Sequence, residues 1–298
     1  MSERPIPRWA AVALLLGMAT VFGSNHVAAR VAFEHGANVT TAVAFRSTGT
    51  ALVVLALLLA NGVPLLVPRA TLLRALLIGA VLAVQSYCLY SAVARIPVAL
   101  ALLAFQTFPM VLAILSWATG GERPAKRVMV AMPVALAGLT LALDVVGRSA
   151  QMSGRWSEIG PGVLWAVGAS FAFALVLFLT TRWMGGLDGR LRSFFSMSVV
   201  AVLTLAAGAM TDGFALPVDR TGWLALVLLT AFYGTAITSM FVLLPRLGAV
   251  NNAGILNFEP IAVLAIAWVV LGQSVTALQA LGACVVVGAI MWMGAGRK

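Results

Sequence analysis

Few side chains in this sequence can do chemistry, and Glu259 stands first among them. It lies near the middle of an apolar stretch, residues 249–271. Surroundings of low dielectric penalise the charged form of a carboxyl. That suits a group that takes up and releases a proton, or one that holds a cation or a substrate amine. The alternative is a carboxyl that only hydrogen-bonds a local break in the backbone. His26, in another apolar stretch, is a relay partner for such a proton or a ring hydrogen-bonded between helices. Arg46 is placed within two turns of a membrane surface, where its stem can snorkel, or serves as partner to Glu259 or to a substrate carboxylate.

Around these lie amides and hydroxyls that apolar stretches otherwise avoid: Asn25, Gln85, Tyr87, Gln106, Tyr233, Thr238, Asn252 and Asn257. Polar groups in such segments face a cavity or another helix, so these residues, with His26 and Glu259, are the candidate lining of a binding cavity. Trp165, Ser170, Phe171 and Phe173 are less decided. Pro109 and Pro260 are expected to kink their helices, because a proline removes one hydrogen bond and frees the carbonyl four residues back, here Phe105 and Leu256. Gln106 and Asn257 stand three residues before each proline. Their amides either satisfy the loosened backbone or face a ligand.

The elements that must position these groups are membrane helices. The 298 residues are 62% hydrophobic and 9% charged. Apolar stretches recur at about the ~20 residues needed to cross the hydrocarbon, over residues 9–33, 38–60, 70–93, 97–119, 126–146, 161–184, 190–211, 221–244, 249–271 and 276–295. The reading is an all-α polytopic membrane protein with ten transmembrane helices. The longest loop is expected from Gly147 to Gly160.

The net charge of +10 follows the loops. With both termini on one side, only Arg30, Arg95, Arg148, Arg155 and Arg220 fall on the opposite side, and Arg46 lies within a span. That bias is the positive-inside rule, with both termini cytoplasmic. The basic charge sets orientation in a lipid bilayer and implies no nucleic-acid partner. Arg4 and Arg8 before an apolar run imitate a signal peptide, but that run has a counterpart later in the chain and reads as the first span.

The chain repeats itself. With one fixed shift, Arg95 falls on Arg246, Pro109 on Pro260, Trp117 on Trp268, Gly121 on Gly272 and Val134 on Val285. The span starts agree, giving two units, residues 9–147 and 161–295. Five spans per unit is an odd number, so the second unit is inverted relative to the first, about an axis in the membrane plane. Such inverted repeats hold a substrate near the midplane, between the halves.

Other searches exclude more than they find. Cys88 and Cys284 are isolated, so neither a disulfide nor a metal site is expected. There is no glycine-rich phosphate loop of the Walker type, no cofactor is called for, and no catalytic constellation suggests an enzyme. Ala280, Cys284 and Gly288 form a small-residue stripe that either closes against the fifth span or pairs two copies as a homodimer.

The pattern Phe22-Gly23-Ser24-Asn25, the pair Phe45-Arg46, the proline-centred fourth span followed by Gly121-Glu122, and Glu259-Pro260 resemble the EamA domain of the drug/metabolite transporter superfamily. The resemblance covers nearly the whole chain as two EamA units. It departs at Gly272-Gln273, where the family usually has Gly-Glu, and at Phe22, where Trp is common. It implies ten helices in inverted five-helix repeats, a central cavity lined by spans 1, 3, 4, 6, 8 and 9, and a bacterial inner-membrane carrier, many of whose relatives export amino acids or related metabolites.

The residues and the resemblance together point to a secondary transporter of a small-molecule substrate, working by alternating access. A polar but nearly uncharged cavity suits small zwitterionic or amphipathic solutes better than phosphorylated ones. A lipid-linked flippase of the same fold and a non-transporting membrane assembly protein are the other two classes; the flippase would need a lateral opening.

Overall fold

The computed structural model describes residues 8–121, 126–142, 152–184, 186–211, 213–243, 258–273 and 276–294. These residues form helices joined by short loops, with no strand among them. The helices are α1 (Arg8–Glu34), α2 (Val39–Ala60), α3 (Arg69–Arg95), α4 (Val98–Phe105), α5 (Phe108–Ala118), α6 (Lys126–Ala142), α7 (Met152–Trp183), α8 (Gly189–Met210), α9 (Arg220–Leu243), α10 (Glu259–Leu271) and α11 (Ala277–Gly294). Among the described residues, seven stretches are long and apolar enough to cross a membrane: Val12–Glu34, Val39–Ala60, Arg69–Arg95, Val98–Ala118, Ile159–Trp183, Gly189–Met210 and Arg220–Ile237. Glu259–Leu271 and Ala277–Ala289 are shorter apolar helices.

Two sequence expectations are corrected here. The loop expected from Gly147 to Gly160 is helical from Met152 onward, and α7 runs through Pro161. Hydropathy marks where hydrocarbon begins, whereas a helix continues into polar sequence for as long as its backbone bonds close. The fourth span is also broken rather than bent. α4 stops at Phe105 and α5 starts at Phe108, with Gln106 and Thr107 between them. Pro109 cannot donate to Phe105, and its ring is best accommodated in the first turn of a new helix, which is where it stands.

Helix pairing follows a pattern of exchange. α3 packs along α7 as α9 packs along α1; α2 packs on α9 as α8 packs on α3. α1 meets α10 as α7 meets α4 and α5, while α2–α8 and α6–α11 pair with their own counterparts. α2 and α9 run in the same direction, since Phe45 meets Trp223, Gly49 meets Thr230 and Thr50 meets Gly234 in ascending order on both.

The α6–α11 pair closes on glycine. A Cβ on Gly282 would lie 2.3 Å from Ala142 N and 2.6 Å from Gly138 O, so backbone packs on backbone. Sequence reading offered the stripe Ala280, Cys284 and Gly288 for this contact. Cys284 is exposed instead, and nothing lies near Gly288. The packed face carries Gly282, Ala283, Val286 and Ala289. Both faces offered small residues, so spacing could not choose between them.

At one end a clasp ties the first repeat to the second. Val218 N donates to His35 O at 3.0 Å, Asn38 N to Ala215 O at 3.2 Å, and Thr41 Oγ1 to Ala215 O at 2.9 Å. His35 Nδ1 and Asp219 Oδ2 are 2.6 Å apart. The Gly222 N–H and then the His35 ring hold the Asp219 carboxyl below the usual carboxylate range.

Candidate functional site

The two proline breaks have nearly the same backbone. Thr107 precedes α5 with φ −73° and ψ −10°, and Phe258 precedes α10 with φ −71° and ψ −15°. Pro109 and Pro260 each sit in the first turn that follows. The side chain at the first helical position differs. It is Phe108 at one break and Glu259 at the other. A carboxylate in the first turn faces unpaired N–H groups and the positive end of the helix dipole, so α10 supports a charge at a depth that otherwise opposes one.

The packing around each break differs accordingly. Phe108 joins Phe105 and Phe173, with ring centroids 5.4 Å and 4.9 Å away, and Thr107 Oγ1 shares a 2.8 Å hydrogen bond with Ser170 Oγ. Glu259 instead meets α1, where its Oε1 lies 3.5 Å from His26 Nε2. His26 is 7% exposed at its side chain and Glu259 23%. The approach depends on Gly23, where a Cβ would stand 2.6 Å from Val263 Cγ2 and 3.5 Å from Glu259 O.

From His26 a chain of contacts leads across the protein. Its ring lies 5.8 Å from that of Tyr90, whose hydroxyl donates to Asn25 Oδ1 at 2.6 Å. Asn25 in turn donates to Phe22 O at 3.1 Å. The Arg46 guanidinium lies over Tyr90, 4.8 Å from its centroid, and over Tyr233, 4.1 Å away. Arg46 also donates to Ser86 Oγ at 2.8 Å, and Gln85 Oε1 lies 3.4 Å from the same hydroxyl. α1, α2 and α3 come from one repeat, α9 and α10 from the other, so the cluster spans the seam between them.

Of the residues named from sequence, Asn25, His26, Gln85, Tyr233 and Glu259 belong to this cluster. Gln106 is buried at the α4–α5 break, beside Thr107. Tyr87 is not part of the cluster. It is 43% exposed on the face of α3 that carries Leu73, Leu77 and Val84, and meets Trp165 edge-on at 6.0 Å. Asn252 and Asn257 lie outside the described residues, as do the Leu256 carbonyl and the side chain of Thr238.

Arg46 departs furthest from expectation. It is 3% exposed and does not snorkel. Val43, Ser47, Thr50 and Val54 are buried with it, so this face of α2 turns to the protein. The Ser47 and Thr50 hydroxyls near it were the signal that could have shown this.

A large groove lies elsewhere. A groove of about 1080 Å³ runs between α2 and α9, lined by Phe45, Thr48, Gly49, Leu205, Thr230 and Thr235 among others. Ser239 lines it too. Thr235 and Ser239 therefore face this lateral, mostly apolar groove, while Asn25, Tyr90 and Arg46 are closed off from it and buried.

The family model for EamA-like transporters matches residues 9–143 and again residues 160–295. The chain belongs to the EamA-like transporter family. It is thus a multi-pass membrane protein of the drug/metabolite transporter superfamily, built from two EamA repeats. A solved crystal structure, described only as "Crystal structure of protein", superposes with a TM-score of 0.60 at 20% identity, over 95% of this chain and 97% of the other. That likeness is one of fold. No curated protein matches the chain.

Proposed function

We propose that this EamA protein is a secondary transporter that exports small metabolites, amino acids or related amphipathic solutes, by alternating access. Its ten spans form two inverted five-helix repeats that rock about the seam, with the breaks at Pro109 and Pro260 as the places where the fourth and ninth spans give. The exchange of helix partners between the repeats supports a pseudo-twofold relation, the placement of Lys and Arg supports cytoplasmic termini, and the resemblance to EamA carriers supports a bacterial inner membrane.

The observation that carries the reading is the Glu259–His26 pair, 3.5 Å apart across the seam. In one state of the cycle the pair is closed, with Glu259 facing the His26 ring at the N-terminal turn of α10. When the repeats part, Glu259 loses that partner and is open to proton exchange, which couples movement of the repeats to a pH gradient.

The test is counterflow in proteoliposomes with labelled amino acids, amines and nucleosides, comparing the natural chain with Glu259→Gln. Saturable counterflow in both, with pH-driven accumulation in the natural chain alone, is the expected result. A Glu259→Gln protein that still follows the pH gradient removes Glu259 from coupling. The groove between α2 and α9 favours one second reading, a flippase for lipid-linked substrates. That reading requires transfer of a fluorescent short-chain lipid between leaflets and no counterflow of the water-soluble panel.

A further inference from the structure

Among the described residues, no carboxylate forms an ion pair with the Arg46 guanidinium. The ion pairs among the described residues are His26–Glu259, Arg30–Glu34, His35–Asp219 and Arg190–Asp188. Arg46 enters none of them. Its contacts are the Ser86 hydroxyl, the Tyr90 side chain and the face of Tyr233. Its Nε–H is buried with no acceptor. A guanidinium offers five N–H donors in a planar fork, and the acceptors it meets here are neutral hydroxyls.

Burying a cation in a membrane-spanning helix is costly unless it is paired. Cation–π contacts return only part of that cost. A site left in this condition is completed by an anion that comes and goes. One isolated guanidinium matches a single planar oxyanion, bound through two parallel N–H···O bonds. Phosphate groups with two charges would call for further cations, and no other Lys or Arg is among the residues that touch Arg46.

We propose that Arg46 is the binding site for the carboxylate of the transported solute, and that Tyr233 covers it when the site is empty. This rests on the transporter reading above. Arg46 stands on α2 in the first repeat, and Tyr233 on α9 in the second. The two helices also pack tightly nearby, where a Cβ on Gly49 would lie 2.4 Å from Thr230 Cγ2. Relative movement of the repeats at this seam lifts the Tyr233 ring from the guanidinium. The fork is then open to a carboxylate, with Tyr90 and Ser86 still holding it in place from α3. A bound carboxylate neutralises the charge and lets the repeats close again; the unloaded site closes on Tyr233.

The experiment uses the natural full-length chain in proteoliposomes, with labelled alanine, leucine, phenylalanine and glutamate as probes. Each is competed by the unlabelled amino acid and by its carboxamide, which keeps the amine and side chain but lacks the carboxylate. Arg46→Lys and Arg46→Gln are run beside it, with monodisperse elution as the check of folding. The expected result is counterflow of at least one amino acid, with its carboxamide competing at least about tenfold more weakly. Arg46→Lys is expected to raise the half-saturation concentration about tenfold and Arg46→Gln about a hundredfold.

Carboxamides that compete as well as the amino acids overturn the assignment while leaving the transporter reading intact. So does an Arg46→Gln protein with unchanged half-saturation. The competition arm needs no variant, so a variant that fails to fold does not decide the matter. If the folded natural chain carries none of these solutes nor the amines and nucleosides, the transporter reading falls and the assignment falls with it.

Discussion

The breaks at Pro109 and Pro260 are the same backbone put to two uses. Their preceding residues differ by only a few degrees in φ and ψ, and each starts a new helix with proline in its first turn. At the first break that helix begins with Phe108, which is packed among aromatic rings beside the Thr107–Ser170 hydrogen bond. At the second it begins with Glu259, which faces His26. The neighbouring helices follow suit. α1 offers Gly23, where α10 leaves no room for a Cβ, whereas α7 carries the fully buried Ala174 at the position related by the repeat. Duplication supplies the geometry of a proline-led helix start twice over, and substitution then gives one copy a titratable group while the other carries an aromatic ring.

The comparison breaks most sharply at Glu259. Glu259→Gln is expected to abolish pH-driven accumulation, a loss of about a hundredfold or more in initial driven uptake, because a neutral amide carries no proton. Phe108→Leu, at the matching position, is expected to leave driven uptake within about twofold. Equal losses in the two variants, measured as ΔpH-driven uptake in proteoliposomes, would show that the breaks are not functionally distinct.

Gly23→Val is the next largest. Its side chain would overlap Val263, which costs about 1–3 kcal/mol for overpacking, and would push α1 from α10 and part His26 from Glu259. Thermal unfolding in detergent should show a lower midpoint, with coupling weakened. Val263→Ala in the same chain should restore most of both. Failure of that rescue would mean that Gly23 serves something other than this approach.

Thr107→Val probes the aromatic break. It removes the hydrogen bond to Ser170 and is expected to cost about 1 kcal/mol of stability without altering the pH dependence of uptake. A shifted pH profile would give the first break a share in coupling.

The smallest effect is expected at the clasp, remote from both breaks. The Asp219 carboxyl is held below its ordinary range by the Gly222 N–H and His35. Its stabilising contribution is therefore complete above the ordinary carboxylate range and is lost as the pH falls through the lowered value. Asp219→Asn should lower the unfolding midpoint slightly at neutral pH and not at all in strong acid. A midpoint difference that persists in strong acid would assign the effect to the N-terminal turn of α9 instead of to the charge.

Much of the architecture was readable before any coordinates. Hydrophobic length alone marks most of the spans, because every backbone group must be satisfied inside a helix once water is excluded. The proline pair and the repeat were visible as matched residues at one shift, and the polar residues of α1 and α3 identified most of the cluster. Tyr87 was expected with the cluster and stands apart from it for one reason. It lies in a span that is apolar on nearly every side, so no amphipathic stripe tells which way a given residue faces.

Amino-acid order was enough to settle the membrane class, the EamA duplication, the two prolines that open helices and the carboxyl beside the second of them. Packing settled the rest. It turned Arg46 inward onto two tyrosines, set His26 against Glu259, left Cys284 and Gly288 uncovered and opened the groove between α2 and α9. The physical reason is that burial in hydrocarbon depends on how many apolar residues a span carries, which is a property of the span alone. Rotation about the helix axis depends on which neighbour fits, and that is a property of pairs.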